Sequence, residues 1–367
     1  MDKSKWEYKK LGEVCTMYQP KTISTQELVD AGAYLVYGAN GVIGKYDKYN
    51  HEQSEILMTC RGATCGTINI SEPFSWINGN AMVIHPTNND YVRDFLVYQL
   101  KAVDKSSVIT GAAQPQITRQ MLQTLPVVLA PIEDQQRIVA ELNCLNEMIA
   151  VKQEQLKEFD KLAQSIFYDM FGDPVSNDKE WETYKLEELG VLARGVSKHR
   201  PRNAPELLGG TMPLIQTGDV ANAEMYITSY TSTYSDLGIA QSKVWDAGTL
   251  CITIAATIGK CAILSFKACF PDSVVGFMAE RSKTNNVYMY FIFKRLQKIL
   301  EMNAPAVAQK NINLAVLNAL QIPLPPLSLQ QQFADKISAI EAQKELVKQS
   351  IAETQTLLDY TMDYYFN

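Results

Sequence analysis

Two long stretches of the chain carry apolar residues at alternating spacings of four and three positions. The first stretch begins at Ile138 and the second at Phe333, and mostly polar residues fill the positions between. This heptad spacing is typical of a coiled coil, because it turns one apolar seam of each helix towards a partner helix. The predicted seam residues are Ile138, Leu142, Leu145, Ile149, Leu156, Phe159, Ile166, Phe333, Ile337, Ile340, Val347, Ile351 and Leu358.

Polar residues interrupt both seams, Lys152 in the first and Lys344, Thr354 and Thr361 in the second. Gly172 and Pro174 give the first helix its stop signal. A helix of about 38 residues spans about 57 Å, much more than the width of a small domain. We therefore expect the two helices to pack on each other as an antiparallel pair. The alternative is that each helix lies on its own domain.

Shorter runs of β-branched and aromatic residues, broken by Gly, Asn and Asp, fill the rest of each half. The stretches YLVYGANGVIGKY, EILMTCRGATCGTINI, GTLCITIAATIGKCAIL and MPLIQTGDV predict strand–turn–strand units. Helical spacing of apolar residues predicts one helix at YVRDFLVYQLKAV and another at VYMYFIFKRLQKIL. Each half is therefore expected to be a mixed α+β domain, and the fold class is α/β.

The chain is a tandem repeat. WEYKKLGEV at Trp6 is answered by WETYKLEEL at Trp181, AQPQI by AQKNI, and PIEDQQRI by PLSLQQQF, always in the same order. The second copy has gained roughly 20 residues, mostly between Gly190 and Trp245, and insertions of this kind are tolerated best in surface loops. The predicted boundaries are 1–130 and 174–325 for the two domains, and 131–173 and 326–367 for the two long helices.

Composition places the chain among soluble proteins. It is 46% hydrophobic and 20% charged, and no apolar run is long enough to span a membrane. The start resembles no signal peptide, and the seven scattered cysteines indicate reduced thiols in a cytoplasm. Cys60 and Cys65 with His51 and His85 suggest a metal site, but without a C-x-x-C spacing we expect unliganded thiols. The net charge of −6 lacks the basic footprint of most nucleic-acid binders.

Catalytic signatures are missing from the sequence. YGANGVIGKY fails the phosphate-loop pattern, since Ala39 replaces the first glycine and Tyr46 the final Ser/Thr. None of the three histidines lies near a candidate nucleophile in the sequence. The chain is therefore expected not to be an enzyme, and catalysis is expected to belong to partners.

The repeated order of a Trp-led domain, an A-Q-x-x-I stretch, a proline-punctuated exit and a long helix resembles the specificity subunit of type I restriction–modification enzymes. QSIFYDMFGDP, at residues 164–174, resembles the end of the first helix in that family. The resemblance covers essentially the whole chain. It implies two target recognition domains, each reading one half of a split target in double-stranded DNA, on a pair of helices that sets the spacing. The modest size of the first domain departs from the family pattern.

The same resemblance implies the partners. Methyltransferase subunits, two of them, are expected to dock on the paired helices, and restriction/translocase subunits are expected to complete the complex. S-adenosylmethionine, ATP and Mg are expected on those subunits, and no cofactor is expected in this chain. The alternative from another class is a structural adaptor with two ligand-binding modules on a coiled-coil strut and no nucleic acid.

Base readout requires Arg or Lys facing guanine and Asn or Gln facing adenine, presented on loops. Predicted turns of the first domain carry Asn40, Lys45, Lys48, Arg61 and Thr64, and the region of the A-Q-x-x-I stretch adds Gln114 and Arg119. In the second domain the candidates are Arg194, Lys198, His199, Arg200, Arg202, Lys260, Gln309 and Lys310. The dense RGVSKHRPR group favours phosphate contacts. Each residue is alternatively a solvated loop charge, and the glutamines of the A-Q-x-x-I stretches are alternatively helix caps.

Overall fold

The computed structural model describes residues 3–88, 90–111, 113–255, 258–303 and 313–367. The chain divides into two compact units. The first contains Met1–Glu154 together with Lys348–Asn367, and the second contains Gln155–Val347. Two long helices are continuous through this division, so each unit holds one mixed α/β domain and a part of both helices.

The domain of the first unit is built on two sheets. Its strands are β1 (Glu7–Lys10), β2 (Cys15–Tyr18), β3 (Tyr34–Gly38), β4 (Gly41–Tyr46), β5 (Ile56–Thr59), β6 (Ile68–Ile70), β7 (Trp76–Ile77), β8 (Ala81–Pro86) and β9 (Pro126–Leu129). Its helices are α1 (Leu11–Val14), α2 (Arg93–Ala102) and α3 (Arg119–Leu122). One sheet is antiparallel with the order β2-β8-β5-β6, and the other has the order β4-β3-β7. The strands β5 and β8 read as continuous apolar runs because both of their faces are buried.

The long helix α4 (Ile132–Phe171) leads into the second unit. Its strands are β10 (Thr183–Lys185), β11 (Gly190–Arg194), β12 (Leu208–Leu214), β13 (Tyr226–Ile227), β14 (Ser232–Tyr234), β15 (Val244–Trp245), β16 (Leu250–Thr253), β17 (Cys261–Leu264), β18 (Ala268–Cys269), β19 (Val274–Ala279) and β20 (Gln321–Pro323). Its helices are α5 (Leu186–Leu189), α6 (Thr217–Asn222), α7 (Asp236–Ala240), α8 (Asn286–Asn303) and α9 (Leu314–Asn318), and the long helix α10 (Leu327–Phe366) follows.

The sheets of the second unit repeat those of the first and extend them. The order β11-β19-β16-β17 reproduces β2-β8-β5-β6, with β13 added in parallel at the edge. The order β14-β12-β18 reproduces β4-β3-β7, with β15 added. The extra strands and the helices α6 and α7 lie between β12 and β16, so the insertion that the sequence indicated is folded structure added to both sheets.

One local prediction is wrong. MPLIQTGDV is a strand followed by helix α6, not a strand–turn–strand unit. The backbone N–H of Gln216 donates to Oδ2 of Asp219 over 2.7 Å, and this first-turn contact starts the helix. Helix propensity without a long apolar period gives too weak a signal to distinguish the two outcomes.

Each domain closes on itself directly before its long helix. β1 pairs antiparallel with β9, and β10 pairs with β20 in the same way, so the first and last strands of each domain lie side by side. A buried glutamine in the first turn of each helix then joins the helix to its domain. Gln135 Nε2 donates to the carbonyls of Asp90 and Ala130, both over 2.7 Å, while its Oε1 accepts from the N–H of Val92.

Gln330 repeats this arrangement in the second unit. Its Nε2 donates to the carbonyls of Lys283 and Pro325, and its Oε1 accepts from the hydroxyl of Thr284 over 2.8 Å. Both glutamines have no exposed surface, and a buried amide costs little only when its donors and acceptors are satisfied. The repeated P-x-x-x-Q passage is therefore the junction between domain and helix.

The long helices are antiparallel within each unit. In the first unit Lys152 contacts Ser350 and, further along, Glu141 contacts Tyr365. In the second unit Asp160 contacts Lys344, and Phe167 packs on Phe333. Among the predicted seam residues the buried ones are Ile138, Leu142, Leu145, Ile149, Phe333, Ile337, Ile340 and Leu358, and the half-buried ones are Leu156, Phe159, Ile166, Val347 and Ile351.

Aromatic residues fasten the far end of each helix. In the second unit Phe167 and Phe171 of α4 pack on Phe333, with ring centroids 5.6 and 5.2 Å apart. In the first unit the ring of Phe366, at the end of α10, lies 5.2 Å from that of Phe95. Each unit thus receives the end of a helix that began beside the other domain.

Candidate nucleic-acid interface

In the first unit, the loop between β5 and β6 meets the A-Q-x-x-I stretch. Arg61 and Gln116 form an isolated antiparallel bridge, and the N–H of Gly62 donates to the carbonyl of Pro115 over 3.0 Å. A further bond of 2.9 Å runs from the N–H of Ile117 to the carbonyl of Cys60. Two segments far apart in sequence therefore form one surface.

This surface carries four of the predicted residues. Arg61, Thr64 and Gln114 are exposed on its two loops, and Arg119 is exposed in the first turn of α3. The N-cap of α3 is Thr118, whose hydroxyl accepts from the N–H of Met121. A capping role for Gln114 was the alternative expectation, and it is wrong at this position.

The β3–β4 hairpin lies against the same surface. The hydroxyl of Thr59, two residues before Arg61, donates to the carbonyl of Ala39 over 2.5 Å. The carboxamide of Asn69 donates to Oδ1 of Asn40 over 3.3 Å. Asn40 is exposed in the turn, as predicted, and Lys48 is exposed beyond β4. Lys45 is exposed within strand β4 rather than on a turn, so its predicted placement is wrong.

Sequence reasoning missed apolar residues at this hairpin. Val42 and Ile43, on β4, are exposed although both are large and hydrophobic. Such side chains contact the methyl group of thymine in DNA readers. Their signal in the sequence was weak, because an apolar residue in a predicted strand is more often part of a core.

The two thiols beside this surface have raised pKa values. Burial raises the pKa of Cys60 to about 11, and it also raises the pKa of Cys65. Both thiols therefore stay protonated at neutral pH, which disfavours nucleophilic or metal-binding roles. Among the described parts of the chain, no cluster of three or more His, Cys, Asp or Glu side chains is arranged to hold a metal.

In the second unit, the RGVSKHRPR segment is a structured loop. Oε1 of Gln241 accepts from the backbone N–H groups of Lys198 and His199, over 2.6 and 3.0 Å. Arg200 donates to the carbonyls of Ser197 and His199. The guanidinium of Arg200 therefore bonds the loop's own backbone.

The basic side chains of this segment differ in how far nearby carboxylates neutralise them. Arg202 lies 2.6 Å from the carboxylate of Asp272, and Arg200 lies 3.8 Å from it. His199 is 3.9 Å from Glu206. Lys198 is exposed on the loop, and Arg194 is exposed at the end of β11. Lys198 and Arg194 are thus better placed than Arg202 to offer a full charge to phosphate.

A second basic group lies around Lys260. With Lys294 and Lys298 of α8 it lines a cavity of about 430 Å³, which Arg295 also borders. Asp173 forms two hydrogen bonds with Arg295. The spacing of four between Lys294 and Lys298 places both on one helix face, and that signal was overlooked in the sequence. Gln309 and Lys310 lie outside the described residues.

Exposed apolar side chains lie on both long helices of the first unit. Leu357, Tyr360 and Tyr364 are spaced by three and four positions along one face of α10, and Tyr360 is 68% exposed. Met148 and Val151 are exposed on α4. Exposed apolar patches of this kind mark protein–protein contacts. None of the helices in the described part of the chain is long and apolar enough to cross a membrane.

Comparisons with known proteins agree on one family. Residues 3–159 and 178–355 match the type I restriction modification DNA specificity domain. The type I restriction enzyme MjaVIII specificity subunit of Methanocaldococcus jannaschii is 21% identical, over 92% of this chain and 86% of that protein. A specificity subunit assigned to the MjaX enzyme of the same organism is 22% identical over 71% of this chain, which spans 64% of its length.

Solved structures show the same fold. The S subunit of a type I restriction–modification system from M. genitalium superposes with a TM-score of 0.60 at 14% identity, over 99% of this chain and 96% of that one. A chain from a structural study of complex assembly and conformational transition in the type I system gives 0.60 at 19% identity, over 99% and 98%. At this level of identity the likeness concerns the fold alone.

Proposed function

This chain belongs to the family of the type I restriction modification DNA specificity domain, and from that premise we propose that it is the sequence-recognition subunit of a type I restriction–modification complex. The observation that carries the proposal is the duplication. The family's domain occurs twice, and each copy closes on a long helix through the same two-stranded ribbon and the same buried glutamine.

Each domain reads one half of a bipartite target in double-stranded DNA. In the first domain, the surface around Arg61, Gln114 and Asn40 supplies the guanidinium and carboxamide groups that pair with base edges. In the second domain, Lys198, Arg194 and the group around Lys260 supply phosphate contacts, which position a protein on the duplex.

The paired helices set the distance between the half-sites. Each has 40 residues and a length of about 60 Å. B-DNA presents the same groove face about every 34–36 Å. A stiff element of this length can therefore hold two recognition domains at two separate half-sites. The bases between the half-sites are then not read.

Catalysis and most of the positive field come from partner subunits. The exposed apolar face of Leu357, Tyr360 and Tyr364 is proposed to receive a methyltransferase subunit, and two such subunits and the restriction/translocase subunits complete the complex. Those partner subunits bind S-adenosylmethionine, ATP and Mg. The acidic charge of −6 is compatible with DNA binding when the partners surround the duplex. The DNA target and the seven unpaired cysteines favour the cytoplasm.

The test is selection of duplexes from a randomised library by the chain in complex with its methyltransferase partner. We expect two short conserved blocks separated by a gap of fixed length. A single uninterrupted block would contradict the bipartite arrangement. Failure to retain any duplex, with or without the partner, would instead support a protein-assembling adaptor.

A further inference from the structure

Lys344 lies in the seam of α10 and is only 3% exposed. Its ammonium group meets three carboxylates, Oδ1 of Asp160 at 2.9 Å, Oε2 of Glu224 at 2.9 Å and Oε1 of Glu341 at 3.1 Å. A lysine has three N–H donors, so each donor has its own acceptor. Burial by itself lowers the pKa of Lys344, but the hydrogen bonds to Asp160 and Glu224 and the charge of Glu341 outweigh it and raise the pKa.

The three carboxylates belong to three different parts of the second unit. Asp160 is on α4, Glu341 is one turn earlier on α10, and Glu224 is on the turn between α6 and β13 in the domain. That turn is itself held, because the hydroxyl of Tyr290 donates to the carbonyl of Glu224 over 3.2 Å. Lys344 therefore joins both helices and the domain at one point.

Among its described residues, the first unit has no lysine that joins both helices and the domain in this way, and its domain reaches α4 instead through Tyr98, which bonds Asn143 and Asn146. In the alignment of the two repeats, Ile149 stands where Lys344 stands, and it is buried among apolar neighbours. The other lysine of the seam, Lys152, donates to the hydroxyls of Ser350 and Thr354, both on α10. It joins helix to helix and does not reach a domain. Glu224, moreover, lies in the segment that the second repeat has gained.

The position of Lys344 along the helix gives the junction a mechanical meaning. Gln330 already fixes the domain to the first turn of α10, and Lys344 follows two heptads later, about 21 Å along the axis. Between them, Phe333, Ile337 and Ile340 of α10 pack in the same apolar core as the domain. Apolar packing is non-directional, whereas a polar attachment at that distance specifies one tilt. A buried ion network adds little net stability, but a polar group in a helix seam does specify one arrangement over others.

We propose that Lys344 is a positioning residue that fixes the tilt of the second domain on the helix pair, and through it the spacer length that the protein accepts between its two DNA half-sites. The inference rests on the proposed function. The contact of Lys344 with Glu224 is the decisive one, since it alone among the three carboxylate contacts reaches the domain.

The experiment measures binding of the full chain, with its methyltransferase partner, to duplexes that keep both selected half-sites and vary the spacer by one base pair. For Glu224→Ala we expect preference for the natural spacer to fall from on the order of tenfold to about twofold. Discrimination against duplexes with one altered half-site should be unchanged. Glu224→Gln should restore much of the preference, because an amide oxygen still accepts from the ammonium group.

Glu341→Ala is the matched control, since it removes a carboxylate from Lys344 without cutting the link to the domain, and its spacer preference should stay near that of the wild type. Lys344→Met tests the same link from the other side and should behave like Glu224→Ala. Full spacer preference in both Glu224→Ala and Lys344→Met overturns the inference while leaving the proposed function intact. If the wild type itself does not discriminate against an altered half-site, both the inference and the proposed function are overturned.

Discussion

The phenol of Tyr365 donates a hydrogen bond of 2.6 Å to Oε2 of Glu141, and it joins the last turn of α10 to the first part of α4 within one unit. Tyr365 is buried, and Glu141 is one turn of helix away from Leu145. Burial and the bond to the Glu141 carboxylate together raise the pKa of Tyr365 to about 12. The folded chain therefore favours the neutral phenol.

This bond makes stability at high pH a specific prediction. An unfolded tyrosine ionises near pH 10, whereas the folded one keeps its proton up to about pH 12. The contribution of Tyr365 is thus complete below pH 10 and is lost as the pH rises towards 12. Urea unfolding across this range should show a smaller decline in the free energy of unfolding for Tyr365→Phe than for the wild type. Tyr364→Phe, at the exposed neighbouring position, should decline like the wild type.

Gln135→Ala should lower the free energy of unfolding by on the order of 3 kcal/mol, because it leaves the carbonyls of Asp90 and Ala130 and the N–H of Val92 buried without their partner. Gln136→Ala makes the same change at the next, exposed position of the helix and should cost less than about 0.5 kcal/mol. Equal losses in the two variants, measured by urea unfolding, would exclude the glutamine as the junction between domain and helix.

Arg61→Ala tests base readout in the first domain. If the guanidinium reads a guanine, the variant should lose about 1–3 kcal/mol of binding free energy and tolerate any base at one position of the target. Competition binding with single-base duplex variants measures both effects. Lys48→Ala removes another exposed cation of this domain and shows how much of the loss comes from charge alone. A loss for Arg61→Ala that is the same on every duplex would indicate a phosphate contact instead.

Lys198 and Arg202 separate free from neutralised charge in the basic loop. Arg202 is paired with Asp272, whereas Lys198 is exposed beside it and its backbone is held by Gln241. Lys198→Ala should weaken binding to all duplexes alike and reduce the slope of log affinity against log salt concentration by about one. Arg202→Ala should change the slope less. A change in preferred sequence for Lys198→Ala would contradict the phosphate assignment.

The role of the helices in spacing is tested by lengthening both of them. A heptad inserted after Leu156 and another after Val347 keep the seam in frame and add about 10.5 Å to each helix. Library selection should then return the same two half-sites with a longer gap, by about three base pairs of 3.4 Å rise. An unchanged gap would refute the idea that these helices set the spacing. A four-residue insertion, which breaks the heptad frame, is the control for unspecific damage.

The sequence was sufficient to place the two long helices, because a heptad repeat is local and survives over 40 residues. It even indicated the polar members, since Lys344 falls on the same frame as Ile337 and Ile340. The sequence does not show why a lysine is tolerated at this position of the seam. Its partner Glu224 comes from a turn that is distant in sequence, and no local pattern predicts such a contact.

The arrangement of the candidate interface was harder to predict. Arg61 and Gln114 are on one surface because Ile117 bonds to Cys60, a pairing between segments that only the folded sheet brings together. The repeated glutamines Gln135 and Gln330 were visible as a motif, but their function depends on carbonyls contributed by other parts of each domain. Lys45 was misplaced by the few residues that separate a turn from the strand after it, which is the usual uncertainty of an element boundary.

The ribbon that pairs β1 with β9, and its copy in the second unit, has an evolutionary consequence. All candidate base-reading residues of the first domain lie between two adjacent strands, and the helix begins just beyond them. Exchange of the segment between these two strands would replace every candidate contact residue of the first domain and leave Gln135 and the long helices unchanged.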